Sequence, residues 1–249
     1  MYAVMSVIGL LVAGFIFCKR IKNHTQDDTE AILFLIVLSL GMLIGGHILY
    51  AITNAKDFPT LLRTSSAKEF FRVLSSLFGG MVFYGGLIGA YILGVVYAKL
   101  RRLDIALYMD NAALFAPIFH GFARVGCFFG GCCYGIESTF GFSASGNTLT
   151  DIGEVCRFPV QLLESILNLF IALVIFYILK KGKLKGQAFY IYLSLYAIIR
   201  FFDEFLRGDE VRGFVFGLST SQFISIFVEL FAIVMLILTT LKKHQKCNS

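Results

Sequence analysis

Long apolar runs separated by short charged clusters dominate the chain, and their length decides which solvent it folds in. Apolar character is sustained near Tyr2–Cys18, Ala31–Thr53, Leu77–Tyr97, Asp104–Phe119, Phe158–Leu179, Gly186–Phe205 and Ser221–Leu241. A helix rises ~1.5 Å per residue and the hydrocarbon core is ~30 Å thick, so about 20 mainly apolar residues cross it. The pattern predicts an all-α integral membrane protein of about seven transmembrane helices. The fourth run is short and meets Pro117 and then a Gly-rich stretch. That predicts a broken or re-entrant element, whose backbone must be satisfied by protein or water.

The polar positions between runs carry direction. Lys19/Arg20/Lys22, Lys99/Arg101/Arg102, Lys180/Lys181/Lys183/Lys185 and Lys242/Lys243/Lys246 all fall on one side if the spans alternate. Basic loops mark the cytoplasmic face, which puts the N-terminus outside and the C-terminus in the cytoplasm. The other side carries Arg63, Arg72, Arg124, Arg157, Arg200, Arg207 and Arg212, mixed with Asp203, Glu204, Asp209 and Glu210. These arginines oppose the bias mildly and read better as a functional set at the outer face. The first run has no basic residue before it and a basic cluster after it, the reverse of a cleavable signal, so a retained anchor is expected.

Composition agrees with a lipid solvent: 57% of the 249 residues are apolar and 15% charged, whereas soluble domains carry about a quarter charged residues. Mean hydropathy is +0.79. The net charge of +6 sits in short inter-span clusters rather than a continuous stripe, so nucleic acid is not an expected partner. With no repeat and no low-complexity linker, residues 1–249 read as one polytopic membrane domain.

Several segments set Gly or polar groups where a span should be lipid-like. Gly45-Gly46-His47 ends the second run, where small residues suit close helix packing. Five glycines between Gly79 and Gly89 each lower helix propensity by roughly 1 kcal/mol relative to Ala. Something must approach closely there, either another helix or a ligand, with Tyr84 offering a phenol beside Gly85 and Gly86. The stretch from His120 to Gly135 holds Arg124, a permanent charge suited to bidentate phosphate binding. An intramembrane charge is functional by default, and the structural alternative is an ion pair with Asp110 or Glu164. Farther on, Pro159 sits at a plausible first helical position, with Gln161 and Glu164 in the first turns. Arg200, Asp203, Glu204 and Arg207 recur at i, i+3, i+4 and i+7, which places them on one helical face.

Six cysteines do not make a disulfide framework in a chain this size. Cys127, Cys132 and Cys133 cluster in sequence, but without a CxxC pair, and adjacent cysteines seldom chelate together, so no metal is expected. A redox pair and plain packing stay open.

Taken in order, these segments resemble the bacterial prolipoprotein diacylglyceryl transferase family along nearly the whole chain. The resemblance runs from Tyr2 in a Tyr-x-x-Met opening through Gly79–Gly89, Arg124 with Gly126, and Arg157, Pro159, Gln161 and Glu164. It closes on Arg200, Phe201, Glu204, Phe205 and Arg207 and a Leu-Ser-x-x-Gln run at Leu218–Gln222. It implies a multi-pass enzyme of the bacterial plasma membrane that moves a diacylglyceryl group from phosphatidylglycerol to the lipobox cysteine of a prolipoprotein. Membrane lipids and prolipoprotein signal peptides are the implied partners, and no cofactor is implied. Tyr84, Arg124, Arg200 and Glu204 would be catalytic. Tyr2, Gly85, Gly86, Gly126, Cys127, Cys132, Arg157, Gln161, Glu164 and Arg207 would bind substrate. The chain departs from the pattern at Tyr84, where histidine is expected, at Cys127 and Gly130 (asparagine), at Cys132 (glutamate) and at His47 (arginine). A paralogous transferase using Cys127 or Cys132 as nucleophile on another acceptor, and a non-enzymatic phospholipid-binding protein, are the alternatives.

Overall fold

Nine α-helices account for most of the described residues of the computed structural model, which describes residues 1–25, 28–55, 58–62, 64, 66–143, 155–208, 214–215 and 217–247. Arg63, Asp209, Glu210 and Arg212, counted above with the outer-face charges, lie outside them. The chain divides into two compact units, one of Met1–His24 with Asp110–Ser249 and the other of Thr25–Met109.

In the unit of Thr25–Met109, α2 (Asp28–Thr53) pairs with α5 (Phe83–Leu100). Glycine decides how closely they approach. A Cβ on Gly45 would lie 2.2 Å from the Gly85 carbonyl oxygen, and one on Gly89 would lie 2.1 Å from that of Gly41. The two helices thus meet backbone to backbone through Gly-x-x-x-Gly on both sides, the membrane solution for tight packing. At one end Arg101 pairs with Glu30, whose other oxygen accepts from the Tyr97 hydroxyl at 3.0 Å. At the other, His47 Nδ1 lies 2.8 Å from the Gly80 carbonyl. A carbonyl can only accept, so Nδ1 carries the proton and His47 serves as a clasp.

That clasp corrects the third predicted span. Instead of one helix from Leu77, an amphipathic α4 (Ala67–Phe78), capped by Ser66 through the Glu69 N–H at 3.2 Å, ends before the Gly79–Val82 turn, and α5 starts at Phe83. The short α3 (Phe58–Leu62) precedes it. Two adjacent glycines break the helix because the ring of Tyr50 occupies the space a side chain at Gly80 would need, 2.2 Å from its Cβ.

The fourth predicted span needs the opposite correction. It is neither broken nor re-entrant: α6 (Ile105–Phe129) runs unbroken through Pro117, Gly121 and Gly126. Proline removes one helical hydrogen bond, but most of α6 is buried, and packing overrides propensity. Gly9 on α1 (Tyr2–Thr25) lies against Phe122, and Gly121 lies against Leu169 of α7 (Val160–Lys181). Ser165 of α7 donates to the Gly121 carbonyl at 2.9 Å. Small residues in α6 are thus where its neighbours seat, and its glycines are contact points rather than breaks.

After α7, Gly182 adopts the left-handed conformation (φ 66°) that ends a helix. The next helix, α8 (Ala188–Asp203), has 16 residues, short of the length a bilayer core requires. Six helices among the described residues are long and apolar enough to cross a membrane, α1, α2, α5, α6, α7 and α9 (Thr220–Cys247). The chain is therefore a multi-pass helical membrane protein. Phe15, Leu173 and Phe227 are more than half exposed on three of these helices, as lipid-facing side chains should be.

Asp110 caps α8: its carboxylate accepts from the Gly186 N–H at 2.5 Å and the Phe189 N–H at 3.4 Å. It is therefore not the partner of Arg124. Losing a side-chain cap costs about 0.5–2 kcal/mol. Asp110→Ala should lower the thermal unfolding midpoint in detergent, and Asp110→Asn, which keeps an acceptor oxygen, should lower it less.

Candidate active site

The polar site lies in the unit of Met1–His24 and Asp110–Ser249 and is assembled from α6, α7, α8, the start of α9 and two loops. Glu164, in the second turn of α7 and 2% exposed, forms ion pairs with two guanidinium groups. Its Oε2 meets Arg124 Nε, and its Oε1 accepts from Arg207 Nη1 at 3.0 Å. Of the two partners proposed for Arg124, Glu164 is the one found. Both arginines are about 9% exposed, so the carboxylate is a buried counter-charge shared by two cations. Asn168 donates to the Glu164 carbonyl at 2.7 Å, one turn on.

Arg207 reaches Glu164 because the helix stops early. The expected single face through Arg200, Asp203, Glu204 and Arg207 holds only in part. Helix α8 ends at Asp203, residues Glu204–Leu206 tighten into a 3₁₀ turn, and Arg207 is extended (φ −86°, ψ 136°). Arg207 bridges Gly135, the Ile136 N–H donates to Leu206 at 3.0 Å, and the Gly208 N–H donates to Tyr134 at 3.0 Å. No side chain fits there: a Cβ on Gly135 would lie 2.3 Å from the Phe158 carbonyl oxygen, and one on Gly208 2.4 Å from that of Gly135. These two glycines position Arg207, and nothing in their spacing distinguished Gly208 in the sequence.

Arg200, 5% exposed, lies 2.5 Å from Glu204 and donates from Nη2 to Ser221 at 3.0 Å. Its Nη1 has no hydrogen-bond partner among the described residues. Ser221 was missed in the sequence, yet the motif that contains it was legible. Ser219 Oγ accepts from the Gln222 N–H at 3.1 Å while Gln222 Oε1 accepts from the Ser219 N–H at 3.0 Å. The Leu-Ser-x-x-Gln run is thus a capping box that starts α9 where Ser221 meets Arg200.

Arg157 lies on the short strand β2 (Cys156–Arg157), antiparallel to β1 (Glu137–Ser143). Its guanidinium covers the Tyr134 ring at 4.5 Å and donates to Gly135 at 3.3 Å. A second hairpin, β3 (Phe214–Val215) with β4 (Leu218–Ser219), precedes α9. Pro159 precedes α7 as its N-cap, one place before the predicted first helical position. Gln161 donates to the Cys132 carbonyl at 2.9 Å. Tyr2 Cα would lie 3.2 Å from a Cβ on Gly126, so the start of α1 rests on that glycine. Gly85, Gly86 and the buried Tyr84 belong to the other unit, where Gly85 faces Gly45 and Gly86 faces Met42.

The sulfur atoms of Cys127, Cys132 and Cys133 all lie within 4.8 Å of one another, and all three are free thiols. Their spacing argued against joint chelation and left their proximity open. The chain achieves it with left-handed residues at Gly131 (φ 68°) and Cys133 (φ 58°), the second rare outside glycine. Hydrogen bonds from Cys127 and then Cys132 hold the Cys133 thiol well below its ordinary value.

The model of the family described as prolipoprotein diacylglyceryl transferase matches residues 1–238. The chain belongs to that family. A phosphatidylglycerol–prolipoprotein diacylglyceryl transferase of Clostridium tetani is 32% identical over 230 residues, 91% of this chain and 87% of the relative. A second transferase so described, from Clostridium perfringens, is 33% identical over 248 residues, 98% and 93% of the two chains. One from Campylobacter hominis is 28% identical over 256 residues, 99% and 90%. The match of a diacylglyceryl transferase model takes in every residue of the buried arginine–glutamate cluster and the three thiols beside it.

Proposed function

We propose that the chain transfers a diacylglyceryl group from phosphatidylglycerol to the cysteine thiol of a prolipoprotein lipobox, at the outer side of a bacterial plasma membrane. In this reading α8, continued by the 3₁₀ turn Glu204–Leu206, completes seven spans, the N-terminus is outside and the C-terminus cytoplasmic. The observation that carries it is Arg200: a buried guanidinium fixed by Glu204 and Ser221, with Nη1 left over to donate.

The reaction explains why such a group is needed. A thiolate attacks the glycerol carbon, the carbon–oxygen bond to phosphate breaks, and glycerol phosphate leaves with additional negative charge. A preorganised donor aimed at that charge lowers the barrier without reorganising. Arg200 is that donor, Glu204 positions it, and Arg124 and Arg207 add positive potential while Glu164 holds them. Tyr2, Gly126, Arg157, Gln161, Cys127 and Cys132 line the substrate-binding region.

Purified protein given phosphatidylglycerol and a lipobox peptide should add a diacylglyceryl mass to the peptide. Arg200→Gln should slow transfer by about 10²–10³, the usual consequence of losing one charge-stabilising donor. Arg200→Lys, which keeps charge but loses the planar fork, should fall between. No adduct, with the Clostridium tetani relative active in parallel, would refute the reading.

A further inference from the structure

Transfer to a thiol requires that thiol's proton to leave. A free cysteine has a pKa of about 8.5, so little of the acceptor is thiolate at neutral pH. The carboxylates of Glu164 and Glu204 are engaged with guanidinium groups. A feature of this unit that the cluster does not use is the group of three converging thiols.

We propose that Cys127, Cys132 and Cys133 hold a zinc-class divalent cation with an open fourth position, and that this position takes the acceptor's cysteine sulfur. The inference rests on the transferase reading above. Zinc binds cysteine sulfur at ~2.3 Å in tetrahedral geometry, which corresponds to sulfur–sulfur edges of about 3.8 Å by the same bond length. The three sulfur atoms already lie within 4.8 Å of one another, so small side-chain rotations close the site.

Two further features fit a catalytic rather than a structural centre. Structural zinc sites are closed by four protein ligands, and catalytic ones keep a position for water or substrate. Among the described residues, no fourth His, Cys, Asp or Glu joins the three. Cys127 is buried on the last turn of α6, but Cys132 and Cys133 are half-buried on the turn that follows, which leaves the cluster open on that side. The backbone is also held for the purpose. The Cys132 N–H donates to the Cys127 carbonyl at 3.2 Å, and Gln161 of α7 holds the Cys132 carbonyl. Three thiolates and a divalent cation carry one net negative charge, which Arg124, one helical turn before Cys127, offsets.

The chemistry balances without an oxidant. The acceptor thiol replaces a metal-bound water, and its proton passes to solvent, because a coordinated thiol is deprotonated outright. The sulfur lone pair forms the carbon–sulfur bond as the carbon–oxygen bond breaks. Its electron pair leaves on glycerol phosphate, at the Arg200 side. The product thioether is neutral, binds the cation more weakly than the thiolate did, and dissociates.

The test uses the full chain in detergent, free of any histidine tag, reduced, stripped with a chelator and titrated with Co²⁺. One equivalent should give sulfur-to-cobalt charge-transfer absorption, retained when Cys18, Cys156 and Cys247 are replaced by alanine and lost in C127S/C132S/C133S. A lipobox peptide should then intensify the band, and its cysteine-to-serine version should not. In the transfer assay, stripping should slow adduct formation by about two orders of magnitude, the share of a positioned proton acceptor, and Zn²⁺ should restore it. No charge-transfer band, a band that survives the triple substitution, or a band unmoved by the cysteine peptide overturns the proposal. So does equal transfer by stripped protein, which leaves the transferase reading intact. If no form of the protein makes adduct, the transferase reading fails, and with it the role assigned to the metal, while the cobalt band still decides whether the thiols hold an ion.

Discussion

Glu164→Ala should unfold at a much lower temperature than the parent protein and transfer no measurable diacylglyceryl group. The carboxylate is 2% exposed and is the counter-charge of both Arg124 and Arg207. Removing one partner of a buried pair costs about 3–5 kcal/mol, because the surviving charge stays buried and unpaired. Here two guanidinium groups are left facing each other, so the upper end of that range applies. For a chain of this length that corresponds to a midpoint lowered on the order of 10 °C. Glu164→Gln keeps an oxygen acceptor and removes only the charge, so its loss should be smaller. Arg207→Met in the Glu164→Gln background should recover part of the stability, since it removes one of the two stranded cations. A double-mutant cycle measures that coupling. Glu164→Ala unfolding at the parent temperature would contradict a buried shared carboxylate.

That cluster also shows what the sequence could and could not reveal. Arg124, Arg200, Glu204 and Glu164 were all identifiable, because a charge inside an apolar run needs a partner and a reason. Which carboxylate Arg124 would choose was not, since Asp110 and Glu164 were equally acidic and equally apolar in context. The structure separates them by backbone need: Asp110 answers the open N–H groups at the start of α8, and Glu164 is free to answer arginine. Arg207 followed the helical spacing of its neighbours, but the helix ends at Asp203, and a loop places it instead. Periodicity carries no information past a helix end. The three thiols were visible as a cluster in the sequence, but their approach within 4.8 Å of one another was not, because a left-handed turn at a non-glycine residue leaves no mark in composition.

The spans were legible where lipid exposure sets them and less so where protein packing does. Exposed α1, α2 and α9 follow hydropathy closely, since most of their side chains face outward. Helix α6 is mostly buried, and there proline and glycine indicated a break that neighbouring helices prevent. The Gly79–Gly89 run was ambiguous for a related reason. Glycine signals close approach without naming what approaches, and Gly79 and Gly80 serve a turn whereas Gly85 and Gly89 serve a helix crossing.

That crossing gives the other large effect. Gly89→Leu should abolish the folded α2–α5 pair, Gly89→Ala should destabilise it by ~3 kcal/mol or more, and Ile88→Leu should be silent. Overpacking a core commonly costs about 1–3 kcal/mol when side chains can shift aside. At Gly89 the obstacle is backbone: its Cβ would lie 2.1 Å from the Gly41 carbonyl oxygen and 3.0 Å from Gly45 Cα. Neither can rotate away, so the helices must separate and lose dispersion contacts along the whole seam. Ile88, one position away, is 47% exposed and meets lipid instead. Gly182→Ala offers the informative contrast. Nothing lies within 4 Å of its Cβ position, but its φ is +66°, so its cost is conformational alone, about 1–2 kcal/mol. Unfolding midpoints in detergent should therefore rank Ile88→Leu above Gly182→Ala above Gly89→Ala. If Gly89→Ala were no worse than Gly182→Ala, the two helices would not meet backbone to backbone, and the glycines from Gly85 to Gly89 would have to be explained by a ligand instead.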